Sequence, residues 1–255
     1  MSEFITTTAG DRIAYDLRGS GPALIFVAGA GPFRAVDPVT TQTAELAASR
    51  GLTTVVYDRI GRGESTADGA LTIERELASI SALLDVVGGS AALCGHSSGC
   101  SISLVAADRG LPVTALALWE GPFVWEGISI TDWAAEFEQL LDRDELRAAV
   151  QKYMVNMPQE WVDQALSSPE SIASVVSQRA DAQSLAWVDK HDFGRISVPV
   201  LYMLGMESFP EMFASADMVA RQIAGAVTKQ VPGAWHSWEP EAMAAELVDF
   251  VTAAQ

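Results

Sequence analysis

Short runs of apolar and β-branched residues recur along the chain at Ala23–Val27, Thr53–Tyr57, Ala91–Cys94, Val113–Trp119 and Val200–Leu204, with a more polar one at Ala226–Val231. Runs of this length, nearly continuous rather than alternating, are expected of strands covered on both faces. Longer stretches with helical spacing lie between them: Thr41–Arg50 before Gly51, Ile73–Val87 before Gly88-Gly89, Ser101–Ala107, about Phe209–Ile223, and Glu239–Thr252. Near the start, Phe4–Thr7 and Ile13–Asp16 flank Ala9-Gly10-Asp11 and predict a hairpin. From Gly121 to about Arg195 the rhythm changes to helical, charged and Trp-bearing sequence with no clear strand, punctuated by Pro158 and Pro169. Strands alternating with helices predict an α/β fold, with a mostly parallel central sheet of about eight strands flanked by helices. The middle segment reads as an inserted helical cap at 122–195, between core segments 1–121 and 196–255.

One strand-to-helix transition carries chemistry. Leu93-Cys94-Gly95-His96-Ser97-Ser98-Gly99-Cys100 contains G-x-S-x-G centred on Ser97, after an apolar run and before a helix-like one. A strand turning sharply into a helix leaves its corner residue in strained backbone geometry. Glycines on either side let strand and helix pack closely, and the helix start offers free N–H groups to a developing anion. Ser97 is therefore a candidate nucleophile.

Composition narrows the partners. The chain has 255 residues, 49% of them hydrophobic, enough for a sizeable core. Asp and Glu number 33 against 16 Lys and Arg, for a net charge of −17. That disfavours nucleic acid and anionic membrane surfaces. The start Met1-Ser2-Glu3-Phe4 does not resemble a signal peptide, and no apolar run is long enough to span a membrane, so a cytoplasmic location is expected. Cys94 and Cys100 read as small core filler, and the three histidines have no metal-ligand spacing. No cofactor is expected, and the sequence does not fix an oligomeric state.

With Ser97 in place, three further motifs fall into order: Val27-Ala28-Gly29-Ala30-Gly31-Pro32, Asp58-Arg59-Ile60-Gly61-Arg62-Gly63-Glu64-Ser65, and Gly233-Ala234-Trp235-His236. In this order, each at a predicted strand end, they make the chain resemble the α/β-hydrolase superfamily over nearly its whole length. The resemblance implies a serine hydrolase acting on a small, apolar carboxylic ester or lactone. It also admits C–C bond hydrolysis, perhydrolysis, acyl transfer, lyase chemistry, or non-catalytic binding of a small ligand. Epoxide hydrolases and dehalogenases of this fold use Asp at the elbow, where this chain has Ser97.

The resemblance implies His236 as the catalytic base, and an imidazole suits that task because it titrates near neutrality. The acid departs from the commonest pattern. The loop Gly205-Met206-Glu207-Ser208-Phe209-Pro210 has Ser208 where Asp is usual. Glu120, ending the preceding strand in Trp119-Glu120-Gly121-Pro122, is the first candidate, because a carboxylate at a buried strand tip needs a partner. Glu207 is the runner-up. The oxyanion hole is expected from the backbone N–H groups of Ser98 and Ala30. Ala28 replaces the His common in that loop, which removes a polar brace. Gly29, His96, Trp125 and Trp235 are candidate substrate-binding residues, whereas His191 reads as a surface residue. The Asp58–Ser65 loop is expected to be architectural, with Asp58 and Arg59 paired. Several of the seven tryptophans, all at or after Trp119, are expected at the interface of cap and sheet.

Overall fold

A computed structural model describes residues 2–255. Nine strands form one sheet in the order β1-β2-β4-β3-β5-β6-β7-β8-β9: β1 Glu3–Thr6, β2 Arg12–Gly19, β3 Ala23–Val27, β4 Thr53–Tyr57, β5 Ala91–His96, β6 Val113–Trp119, β7 Val200–Glu207, β8 Val227–Ala234 and β9 Ser237–Trp238. The strands from β3 to β8 run parallel, while β1, β2 and β9 add antiparallel edges. The two-residue β9 is too short to leave a periodic signature, which is why about eight strands were expected rather than nine.

The helices are α1 Pro38–Ser49, α2 Ile73–Val86, α3 Ser98–Asp108, α4 Ile130–Asp142, α5 Leu146–Tyr153, α6 Gln159–Ser167, α7 Pro169–Ser174, α8 Arg179–Lys190, α9 Pro210–Gln222 and α10 Pro240–Ala253. Helix α1 starts earlier than its periodicity suggests. The Asp37 carboxylate accepts the Thr40 N–H at 3.0 Å, and Pro38 occupies the first helical position, where its missing N–H costs nothing.

The sheet separates two apolar layers. Leu24, Phe26, Ala92, Ala117 and Met203 pack toward α1 and α10 through Ala44, Ala47, Met243 and Leu247. On the other face Ile25, Val27, Leu93 and Leu118 join a larger cluster with α2, α3, α9 and the helices of the β6–β7 segment. There α8 packs on both α3 and α4. Burial on both faces explains why the central strands read as continuous apolar runs.

The chain passes from β3 outward to β4, then returns to place β5 on the other side of β3. Such a reversal of winding opens a crevice beyond the carboxyl ends of the two strands. Gly29 follows β3 there, and Ser97 follows β5.

The Asp58–Arg59 pair does not form. Asp58 accepts the backbone N–H groups of Arg34 and Glu64 at 2.8 and 2.9 Å and faces the Arg34 guanidinium. Gly63 makes room for it, since a Cβ there would lie 2.3 Å from Asp58 Oδ2. Arg59 turns inward to α2 and α8, where Glu76 and Asp181 receive it. Among the described residues no helix is long and apolar enough to cross a membrane.

Candidate active site

Ser97 sits between β5 and α3 with φ 55° and ψ −127°, a conformation rare for a residue with a side chain. Glycines make this corner possible. A Cβ on Gly95 would come 2.6 Å from Cys100 Cα, and one on Gly99 would come 2.0 Å from Val27 O. The Ser97 N–H bonds to Trp119 O at 2.9 Å, which anchors the corner to the neighbouring strand. Gly29 lies directly across, where a Cβ would come 2.8 Å from Ser97 Cβ and 3.4 Å from its Oγ.

Glu120 follows β6 as Ser97 follows β5, since His96 and Trp119 are paired in register. It is fully buried and has φ 47°. One carboxylate oxygen, Oε1, accepts the Gly205 N–H at 2.9 Å. The other, Oε2, lies 2.7 Å from His236 Nδ1. Gly205 lets the carboxylate come this close, because its Cβ position is 3.3 Å from Oε1. Burial pushes the Glu120 pKa up, but the hydrogen bonds from His236 and Gly205 and the neighbouring Ser208 hydroxyl outweigh it, so the pKa falls below the ordinary value. The Ser208 hydroxyl contributes by proximity and does not itself reach hydrogen-bond geometry. Glu207 ends β7, exposed, and its backbone carbonyl accepts the Trp235 N–H at 2.9 Å. Of the two candidate acids, Glu120 is the one bonded to the imidazole.

His236 and Trp235 form the tight corner between β8 and β9, with φ 73° and 52°. Four of the five non-glycine residues with positive φ among those described are therefore Ser97, Glu120, Trp235 and His236. Backbone strain of this kind persists where surrounding structure over-determines it, and it clusters at functional sites.

These features coincide with a family assignment. Residues 24–250 match the model of the alpha/beta hydrolase family. An alpha/beta hydrolase from Sphaerobacter thermophilus is 30% identical, with 97% of this chain and 99% of that one covered and a TM-score of 0.80. The chain belongs to the alpha/beta hydrolase family. A thermophilic esterase from Thermogutta terrifontis (19% identity, 100% and 99% covered, TM-score 0.69) and an enol-lactonase from Burkholderia xenovorans (20% identity, 98% and 100% covered, TM-score 0.62) share the fold. No curated protein matches the sequence.

In this hydrolase His96 packs against the corner that carries His236. Its Nε2–H donates to the His236 carbonyl at 3.0 Å, and the two rings lie 4.9 Å apart. Burial, then the proximity of His236, lowers the His96 pKa from 6.5 to about 4. The folded protein therefore resists a proton that the unfolded chain accepts. Stability from His96 is complete above pH 6.5 and is lost as pH falls toward 4. The full shift corresponds to about 3 kcal/mol. His96→Gln keeps a donor but does not titrate, so its unfolding free energy should fall less than wild type between pH 7 and pH 4 in urea titrations. Equal losses in the two proteins would remove His96 as the cause.

The tryptophans divide. Trp125 donates Nε1–H to Pro122 O and packs edge-on against Trp133 at 4.7 Å, inside the helical segment. Trp235 is 70% exposed beside Phe209. A cavity of about 450 Å³ adjoins the Gly29 loop and is lined by Gly31, Phe33, Arg62, Val150, Met154 and Val175, among others, rather than by Trp125 or Trp235. His191 is exposed and stacks on Trp187. Cys94 and Cys100 are buried free thiols, and Cys100 Sγ lies 3.1 Å from Gly95 O.

Sequence reasoning missed a buried polar group beside Ser97. Asp181, on α8, is fully buried among Arg59, Arg62 and Ser98. The signal was present. Asp181, Ser184, Leu185 and Val188 share the inward face of α8, and a charge in such a stripe demands a buried partner.

Proposed function

We propose that this hydrolase cleaves small, apolar carboxylic esters or lactones through an acyl-enzyme on Ser97, with His236 as base and Glu120 as the acid that orients it. The observation that carries this reading is the 2.7 Å contact of His236 Nδ1 with a buried carboxylate, beyond the carboxyl ends of the parallel strands, where a strained serine also stands at a helix start.

The chemistry follows from that contact. An ionised Glu120 accepts a hydrogen bond, so the imidazole keeps its proton on Nδ1 and presents a lone pair at Nε2. That nitrogen takes the Ser97 proton as Oγ attacks the ester carbonyl carbon. The carbonyl oxygen becomes an oxyanion, stabilised by the N–H groups of Ser98 and Ala30. The imidazolium then gives its proton to the leaving alkoxide as the C–O bond breaks. Water attacks the acyl-enzyme with the same base, and the acid product leaves Ser97 free. The buried start of α3 favours the developing negative charge.

The fold relatives include proteins described as an esterase and an enol-lactonase, which accords with this chemistry. The bond between Glu120 and His236 weighs against a purely ligand-binding role, for which a paired imidazole is unnecessary. A fluorophosphonate probe should label one serine per chain, and Ser97→Ala should abolish the label. p-Nitrophenyl acetate and butyrate should turn over in proportion to the labelled fraction. A wild-type protein that neither takes the label nor hydrolyses these esters overturns the reading.

A further inference from the structure

The loop after β3 lacks the histidine common in this family, and a different brace takes its place. Arg59 and Arg62 are both buried. Arg59 Nη1 donates to Ala28 O at 3.1 Å and to Gly29 O at 3.3 Å. Arg62 Nη1 donates to Gly29 O at 2.6 Å. Both arginines then converge on one carboxylate from α8. Arg59 Nη1 reaches Asp181 Oδ1 at 2.6 Å, and Arg62 Nη2 reaches Oδ2 at 2.8 Å. The Ser98 hydroxyl donates to the same Oδ1 at 2.6 Å. Glu76 completes the group by accepting Arg59 Nε–H at 2.8 Å, so two buried cations face two buried anions.

Peptide planarity turns this anchoring into an aiming device. In a trans peptide the C=O of one residue and the N–H of the next point in opposite directions. With the Gly29 carbonyl drawn into the arginine pair, the Ala30 N–H faces the other way. Among the described residues that N–H makes no backbone hydrogen bond. Gly29 is also the residue that abuts Ser97. The second anion-binding N–H belongs to Ser98, whose side chain the same Asp181 holds.

We propose that Asp181 is a positioning residue that aligns both oxyanion-binding N–H groups, reaching Ala30 through Arg59 and Arg62 and reaching Ser98 directly. The proposal rests on the serine-hydrolase reading above. Asp181 lies on α8, outside the strand-end loops that carry Ser97, Glu120 and His236. The helical segment between β6 and β7 thereby becomes part of the catalytic apparatus, with a function beyond covering the substrate.

The test separates alignment from folding. Asp181→Asn, Arg62→Lys and Ser98→Ala are compared with wild type, with kcat for p-nitrophenyl butyrate expressed per fluorophosphonate-titrated site. Asp181→Asn should lose about 100-fold in kcat per site and the two milder variants about 10-fold each, with KM nearly unchanged. Phenylboronic acid, which forms a tetrahedral adduct on the serine, should bind more weakly by a similar factor, while inhibition by planar benzoate should not change. Should Asp181→Asn fail to fold, Arg62→Lys and Ser98→Ala still decide the matter, since each keeps the Asp181 charge in place. Wild-type kcat per site and wild-type boronate affinity in those variants would overturn the proposal while leaving the serine-hydrolase reading intact. A wild-type protein that takes no label overturns both.

Discussion

Glu120→Gln is expected to lower kcat for ester hydrolysis by about 10⁴-fold, whereas Glu207→Gln leaves it near the wild-type value. The asymmetry follows from the two hydrogen bonds at Glu120. Gln is nearly isosteric, so the loop should keep its shape. The Gly205 N–H still requires an oxygen opposite it, and that requirement fixes the orientation of the amide. The NH₂ group then faces His236 Nδ1 at the position now held by Oε2. A donor opposite Nδ1 stabilises the tautomer with its proton on Nε2, and that tautomer cannot accept a proton from Ser97. The lost carboxylate charge also no longer supports the imidazolium. Circular dichroism and thermal melting should show a folded variant. Glu207 contributes only its backbone carbonyl to the site, so its side chain can change without consequence. A larger loss in Glu207→Gln than in Glu120→Gln would refute this assignment.

The placement of that acid shows where sequence reasoning reaches and where it stops. Periodicity located the central strands because burial on both faces leaves nearly continuous apolar runs, as at Ala23–Val27 and Val113–Trp119. The glycines around Ser97 were legible because each meets backbone that admits no Cβ. Glu120 was legible as a buried carboxylate in need of a partner, but its contact with His236 was not. That contact depends on the corner between β8 and β9, a feature of register and positive φ rather than of residue type. The arginine brace was hidden for a related reason. Glu76 and Asp181 each interrupt an apolar helical stripe, one on α2 and one on α8, and both meet Arg59. A pattern along one helix announces an unpaired charge, but it cannot say which distant segment supplies the counter-charge. The expected Asp58–Arg59 pair failed on the same ground, since adjacent residues of a turn point to different sides.

Gly99→Ala is expected to destabilise the protein by more than about 4 kcal/mol, or to prevent its accumulation in folded form. The added Cβ would lie 2.0 Å from Val27 O and 2.8 Å from Ala28 O, both backbone atoms at the end of β3. A flexible side chain could turn aside from such a clash, but here relief requires α3 and β3 to separate. Those two elements carry Ser98 and the Ala28–Ala30 loop, so any molecules that do fold should also show reduced kcat. Gly10→Ala supplies the contrast. Gly10 has φ +86° with open space around its Cβ position, so the substitution incurs only left-handed strain of about 1–2 kcal/mol. Urea titrations of both variants measure the difference. A Gly99→Ala protein as stable as Gly10→Ala would mean that the start of α3 leaves room against β3 for a Cβ. The steric demand at Gly99 and the catalytic demand at Ser97 would then be independent, and they are expected to be one.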